Sequence, residues 1–129
     1  MNRWPDWWQQ SLSDIRHSEH ALEDEDYEWA AFAAQQTAEK ALKALIMSQN
    51  GEPWGHSVTS LAEALPKQLQ PPQEILEAAN RLDKHYIPAR YPNGFADGYP
   101  AKLYTRGEAV GAIQDARKII EFSRRHLPG

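Results

Sequence analysis

The stretch from Asp26 to Asn50, DYEWAAFAAQQTAEKALKALIMSQN, constrains this chain more than any other. Tyr27, Ala31, Ala34, Ala38, Ala41 and Leu45, with Ile46 beside it, recur at alternating steps of four and three, one face of an α-helix. A second stripe, Trp29, Phe32, Gln36, Lys40, Lys43 and Met47, runs along another side. The residues between are mostly alanine, which favours helix and lets neighbouring helices come close. Asp26 is placed to cap the start, and Asn50-Gly51 to stop the end in a left-handed turn. A helix of roughly 24 residues is about 36 Å long, the width of a small domain. Apolar on more than one side, it belongs in the middle of a bundle.

The flanking segments supply the partners. Pro5 opens a first helix to Leu22, with Trp8, Leu12, Ile15 and Leu22 as its apolar stripe. Trp4, Trp7 and Trp8 cannot all point inward from one helix, so at least one is expected to face a partner or a second copy. Glu23-Asp24-Glu25-Asp26 reads as a turn whose last carboxylates favour the positive start of the next helix. After the Gly- and Pro-rich loop Gly51–Ser57, Ser57 caps a short helix through Val58, Leu61, Ala62 and Leu65. Pro71-Pro72 opens a further helix carrying Ile75, Ala79, Leu82 and Tyr86, which Pro88 stops. Ala89–Tyr104 is expected to be an irregular loop held down by its own aromatics, Tyr91, Phe95, Tyr99 and Tyr104. Thr105-Arg106-Gly107-Glu108 is a capping box, and the last helix places Ala109, Ile113, Ala116, Ile120 and Leu127 on one face. The prediction is a single all-α domain over residues 1–129: an up-and-down bundle of four long helices and one short one, with a long aromatic loop before the last.

Composition narrows the function. A chain of 129 residues makes one core. It has no cysteine, which removes disulfides, thiolate metal sites and cysteine nucleophiles. No apolar run reaches the roughly 20 residues that span a bilayer. The start lacks a signal-peptide pattern, so the chain reads as soluble, cytoplasmic and free of membrane contact. Charge is uneven: residues 1–79 carry 5 Lys and Arg against 13 Asp and Glu, whereas residues 80–129 carry 9 against 5. The second part is thus a basic portion of an acidic chain, able to attract anions locally.

Glycine loops for phosphate and nucleophile elbows are missing, and no cofactor is implied. His17, His20 and Glu23 have the spacing of a metal-binding helix face, but histidines among carboxylates at a helix end read as solvated surface, and no metal is expected. The cluster with chemical content is Arg81-Leu82-Asp83-Lys84-His85-Tyr86-Ile87-Pro88-Ala89-Arg90-Tyr91-Pro92-Asn93. Leu82 and Tyr86 take the core side, so Arg81, Lys84 and His85 cannot. Guanidinium, ammonium and imidazole beside Tyr86 and Tyr91 suit a phosphate carrying a stackable base. Lys84, His85, Arg90 and Tyr91 are therefore the candidate binding residues, with His56 nearby. The rival reading is a salt-bridged helix end using Asp83, with Arg90 as a structural anchor for the loop.

Three segments together resemble the HEPN domain family (higher eukaryote and prokaryote nucleotide-binding): Phe32–Leu45, FAAQQTAEKALKAL; Gly55–Val58, GHSV; and Leu82–Pro92, LDKHYIPARYP. The resemblance runs over nearly the whole chain. It implies a helical bundle that forms a homodimer and serves either as partner subunit of a small nucleotidyltransferase, in a toxin–antitoxin-like pair, or as a metal-independent ribonuclease. Ribonuclease members carry Arg, four to six residues and His, paired across the dimer. Here Arg81 and His85 have three residues between them, as do Arg16 and His20. The Arg-x4-His-x-Tyr variant associated with nucleotidylation is missing as well. The resemblance thus implies a nucleotide-binding or nucleic-acid phosphate-binding module, with an endoribonuclease built on Arg81 and His85, or a purely structural dimer, as alternatives.

Overall fold

The computed structural model describes residues 1–129. Its helices are α1 (Trp4–Glu23), α2 (Tyr27–Ser48), α3 (Val58–Glu63), α4 (Gln73–Asp83), α5 (Pro100–Leu103) and α6 (Arg106–His126), with single 3-10 turns at Lys67–Leu69 and Pro92–Gly94. There is no strand, and no helix is long and apolar enough to cross a membrane.

The alanine-rich stretch is the central helix. α2 touches α1, α3, α4, α5 and α6, and from Ala30 to Ile46 only Phe32, Gln36 and Lys40 are not buried. α1 lies antiparallel on it, close enough for the Ser11 hydroxyl to donate to the Thr37 carbonyl and the Ser18 hydroxyl to the Ala30 carbonyl. Serines satisfied this way let two backbones approach without leaving a buried polar atom unpaired. Leu42, Leu45, Val58, Leu61, Ala79, Leu82, Ala116 and Ile119 are sealed in one core shared by α2, α3, α4 and α6.

The ends of α2 follow from local chemistry. Asn50 is left-handed (φ 63°), its N–H donating to the Met47 carbonyl and that of Gly51 to the Ile46 carbonyl, a Schellman stop. The acidic run makes the same stop for α1: Glu25 is left-handed (φ 63°), Glu25 N–H donates to the Leu22 carbonyl and Asp26 N–H to that of Ala21. Asp26 precedes α2 as predicted, but its side chain makes no capping bond. The capping box at Thr105 and Glu108 is fully formed.

Two expectations are corrected. α4 ends at Asp83, and Lys84–Arg90 forms successive tight turns, because the Asp83 carboxylate is drawn to the start of α3. The aromatic segment is not wholly irregular: Pro92 and Pro100 each open a helical turn, since proline's fixed φ suits a first helical position. Trp4, Trp7 and Trp8 are all half-buried. Trp8 packs on the core with the Arg124 guanidinium 5.7 Å from its ring centre, and Trp7 lies 5.6 Å from Lys43 Nζ. The exposed tryptophans are Trp29 and Trp54.

Candidate functional site

The turn Lys84–Arg90 leaves α4 beside the loop before α3, and an open cleft of about 480 Å³ lies between them. His56, Ser57, Asp83, Lys84, Tyr86, Ile87 and Pro88 line it. Tyr86 is its organising ring. Periodicity puts it on the core stripe, yet it is only half-buried, because the tight turns swing it off the helical face. His56 stacks on it, ring centres 4.8 Å apart and planes 17° apart. Phe32 of α2 lies 6.2 Å away on another side and carries Trp29 edge-on at the same spacing.

Arg90 completes the cluster. Its guanidinium carbon is 4.4 Å from the Phe32 ring centre, 4.6 Å from that of Tyr86 and 5.0 Å from that of Tyr91. Its Nε donates to the Tyr86 carbonyl at 2.9 Å, closing the turn, while buried Ala89 anchors the chain on the core side. No carboxylate pairs with Arg90, and its terminal nitrogens make no bond within the chain. Lys84 is exposed and likewise unpaired, and half the surface of Tyr91 is open. A planar cation against aromatic faces, with unpaired donors, is equipped to meet an anion that brings a ring of its own.

Beneath His56 lies a buried polar network. Glu39 is buried in α2; its carboxylate accepts from Lys43 Nζ at 3.1 Å and from Gln36 Nε2 at 3.3 Å, and faces His56 Nδ1 at 3.2 Å. Gln35, fully buried, donates to the His56 carbonyl at 3.0 Å. On the opposite rim Asp83 accepts from Ser57 Oγ, Val58 N and Thr59 N, and so caps α3 rather than pairing with Arg81, Lys84 or Arg90. Lys40, on the second stripe, pairs with Asp14 of α1.

The predicted residues therefore divide. His56 and Lys84 line the cleft, Arg90 joins it through Tyr86, and Tyr91 packs on Arg90. Arg81 and His85 turn instead toward α6. Arg81 makes a two-pronged pair with buried Asp115, Nε and one terminal nitrogen each 2.9 Å from a carboxylate oxygen, and that bond holds its proton above the usual guanidinium range. His85 Nδ1 sits 2.7 Å from the Tyr104 hydroxyl. Burial raises the Tyr104 phenol far above its ordinary value, with the Glu108 carboxylate adding to it, so the hydroxyl stays protonated. Burial lowers the proton affinity of His85 in turn, outweighing the opposite pull of Glu108 and Asp115. Sequence reasoning does not single out Glu39, Phe32 or the capping role of Asp83. The one available signal is the spacing of Gln35, Glu39 and Lys43, four residues apart on one face of an alanine-rich helix. His17 and His20 stay exposed near the end of α1, and no three His, Asp or Glu side chains converge.

A cysteine-free helical bundle with an alanine-rich central helix and an aromatic–cation cleft at one end is the class this architecture defines. Within it, the chain belongs to the HEPN domain family, whose profile matches residues 4–126. Among solved structures it is similar to the protein TT1696 from Thermus thermophilus, at 45% identity, covering 98% of this chain and 100% of that one with a TM-score of 0.96. It is also similar to ST0689, an archaeal HEPN homologue, at 38% identity over 97% of this chain and 98% of that one, with a TM-score of 0.82. A HEPN domain protein from Thermotoga maritima shares 33% identity over 93% and 95% of the two chains, with a TM-score of 0.76. No curated protein matches.

Proposed function

We propose that this chain is a HEPN-type module that binds a nucleotide or nucleic-acid phosphate at the cleft beside Tyr86. It acts as a homodimer and as the partner subunit of a small nucleotidyltransferase in a toxin–antitoxin-like pair. The observation that carries the binding reading is Arg90, a guanidinium held against three rings with no carboxylate opposite it. Arg81, by contrast, has its carboxylate. A guanidinium left without a carboxylate, beside an exposed tyrosine and an unpaired lysine, has donors available to a ligand anion. The dimer and the nucleotidyltransferase partner rest on membership of the family. An endoribonuclease built on Arg81 and His85 is less well supported, since Arg81 is held in a two-pronged pair with Asp115 and His85 Nδ1 is engaged with the Tyr104 hydroxyl.

Isothermal titration with ATP, GTP and a short single-stranded RNA, at low and moderate salt, tests the reading. Saturable binding that weakens with salt and disappears in Arg90→Ala, with the helical spectrum unchanged, is the expected result. Binding indifferent to Arg90→Ala overturns the site. RNA cleavage abolished by His85→Ala transfers function to the other side of α4.

A further inference from the structure

Glu39 is a carboxylate buried in the central helix. It lies in the middle of α2 with 4% of its side chain exposed, paired to a Lys43 that is 11% exposed. Buried ion pairs of this kind rarely gain stability over apolar residues of the same volume, because both charges lose their hydration. What the pair does hold is the loop before α3. The Glu39 carboxylate has both oxygens 3.2 Å from His56 Nδ1, and neighbouring Gln35 holds the His56 carbonyl. A carboxylate facing Nδ1 puts the proton of the neutral ring on that nitrogen. Nε2 is then an acceptor, and it has no partner in the chain although His56 is 57% exposed and lines the cleft. Stacking on Tyr86 fixes the plane of the ring, so both its tautomer and its direction are set before any ligand arrives.

We propose that Glu39 is a positioning residue which, through His56, makes the cleft selective for ribose: the Nε2 lone pair accepts a ribose hydroxyl. The inference rests on the nucleotide-binding reading above. The cations beside the cleft, Arg90 and Lys84, suit phosphate, whereas a neutral acceptor suits the hydroxyl, the nearest donor that a nucleotide offers outside its base. A site built to hydrogen-bond a hydroxyl rejects the analogue that lacks it, because the analogue leaves the acceptor unpaired.

The test compares ATP with 2′,3′-dideoxy-ATP by titration calorimetry. The intact protein should bind ATP at least about fivefold more tightly, the scale of one neutral hydrogen bond. His56→Ala should bind both alike. His56→Asn keeps a donor toward Glu39 but lacks Nε2, and should also lose the preference. Because Glu39→Ala alone leaves Lys43 buried and unpaired, the informative variant is Glu39→Leu with Lys43→Met. This double variant should keep its thermal midpoint and lose the preference. Nitrogen-15 spectra of the ring give an independent readout: His56 should carry its proton on Nδ1 in the intact protein and not in the double variant. Equal binding of the two nucleotides, both abolished by Arg90→Ala, overturns ribose selection and leaves the binding site standing. A ring protonated on Nε2 in the free protein overturns the role of Glu39. Failure of the intact protein to bind either nucleotide overturns both readings together.

Discussion

Arg90 and Arg81 are nine positions apart in one cationic stretch, yet they do opposite things. Arg81 is fixed to a buried carboxylate, and Arg90 leans on three rings. Arg90→Ala should lower stability by about 1–2 kcal/mol through lost ring contact and the lost bond to Tyr86, and Arg90→Lys should restore only part, since ammonium has no flat face to stack. Urea denaturation of the three proteins measures this directly. His85 supplies a pH dependence. Its proton affinity is lower folded than unfolded, chiefly through burial, so the unfolded chain binds the extra proton first. The His85 contribution to stability is therefore fully present above the ordinary histidine value of about 6.5 and falls away as pH drops below it. Thermal midpoints from pH 8 to pH 5 should decline more steeply in the intact protein than in His85→Gln. Neither arginine's fate is legible in the sequence, because which side chain faces it is decided by residues such as Asp115 and Phe32, dozens of positions away.

At the scale of elements, short-range rules read well where both partners lie within one turn. The Thr105 capping box and the Asn50-Gly51 stop are both present as predicted. Thr105→Ala should cost about 1 kcal/mol, measured by chemical denaturation. Asp83 shows where such rules stop. A cap normally comes from the residue before a helix, and Ser57 does cap α3. A second cap arrives from the end of α4, which no local window contains. Asp83→Ala should therefore cost more than Ser57→Ala, about 1–3 kcal/mol, because buried backbone donors lose a charged acceptor. Amide exchange at Val58 and Thr59 should accelerate in the same variant. Sequence rules place the end of α4 too late for a related reason: Pro88 marks the last residue by which a helix must stop, not where it does stop.

For the whole molecule, α2 makes the fold robust and the cleft exacting. Leu42, fully buried at its centre, should cost about 2–5 kcal/mol on replacement by alanine, measured as a shift in the urea midpoint. The same helix sets Glu39 beneath His56 and Phe32 against Tyr86, so one rigid element serves both core and site. The sequence by itself determined the all-helical class, the number of long helices, the central place of α2 and the neighbourhood of the cationic turn. Those follow from apolar periodicity and capping chemistry, which act over a few residues and are written locally. Only the tertiary structure decided that His56 rather than His85 faces the cleft, that Tyr86 is a platform rather than core, and that Arg81 is bound while Arg90 is open. These depend on hydrogen bonds and ring contacts between residues far apart in the chain, whose geometry exists only once the helices have packed.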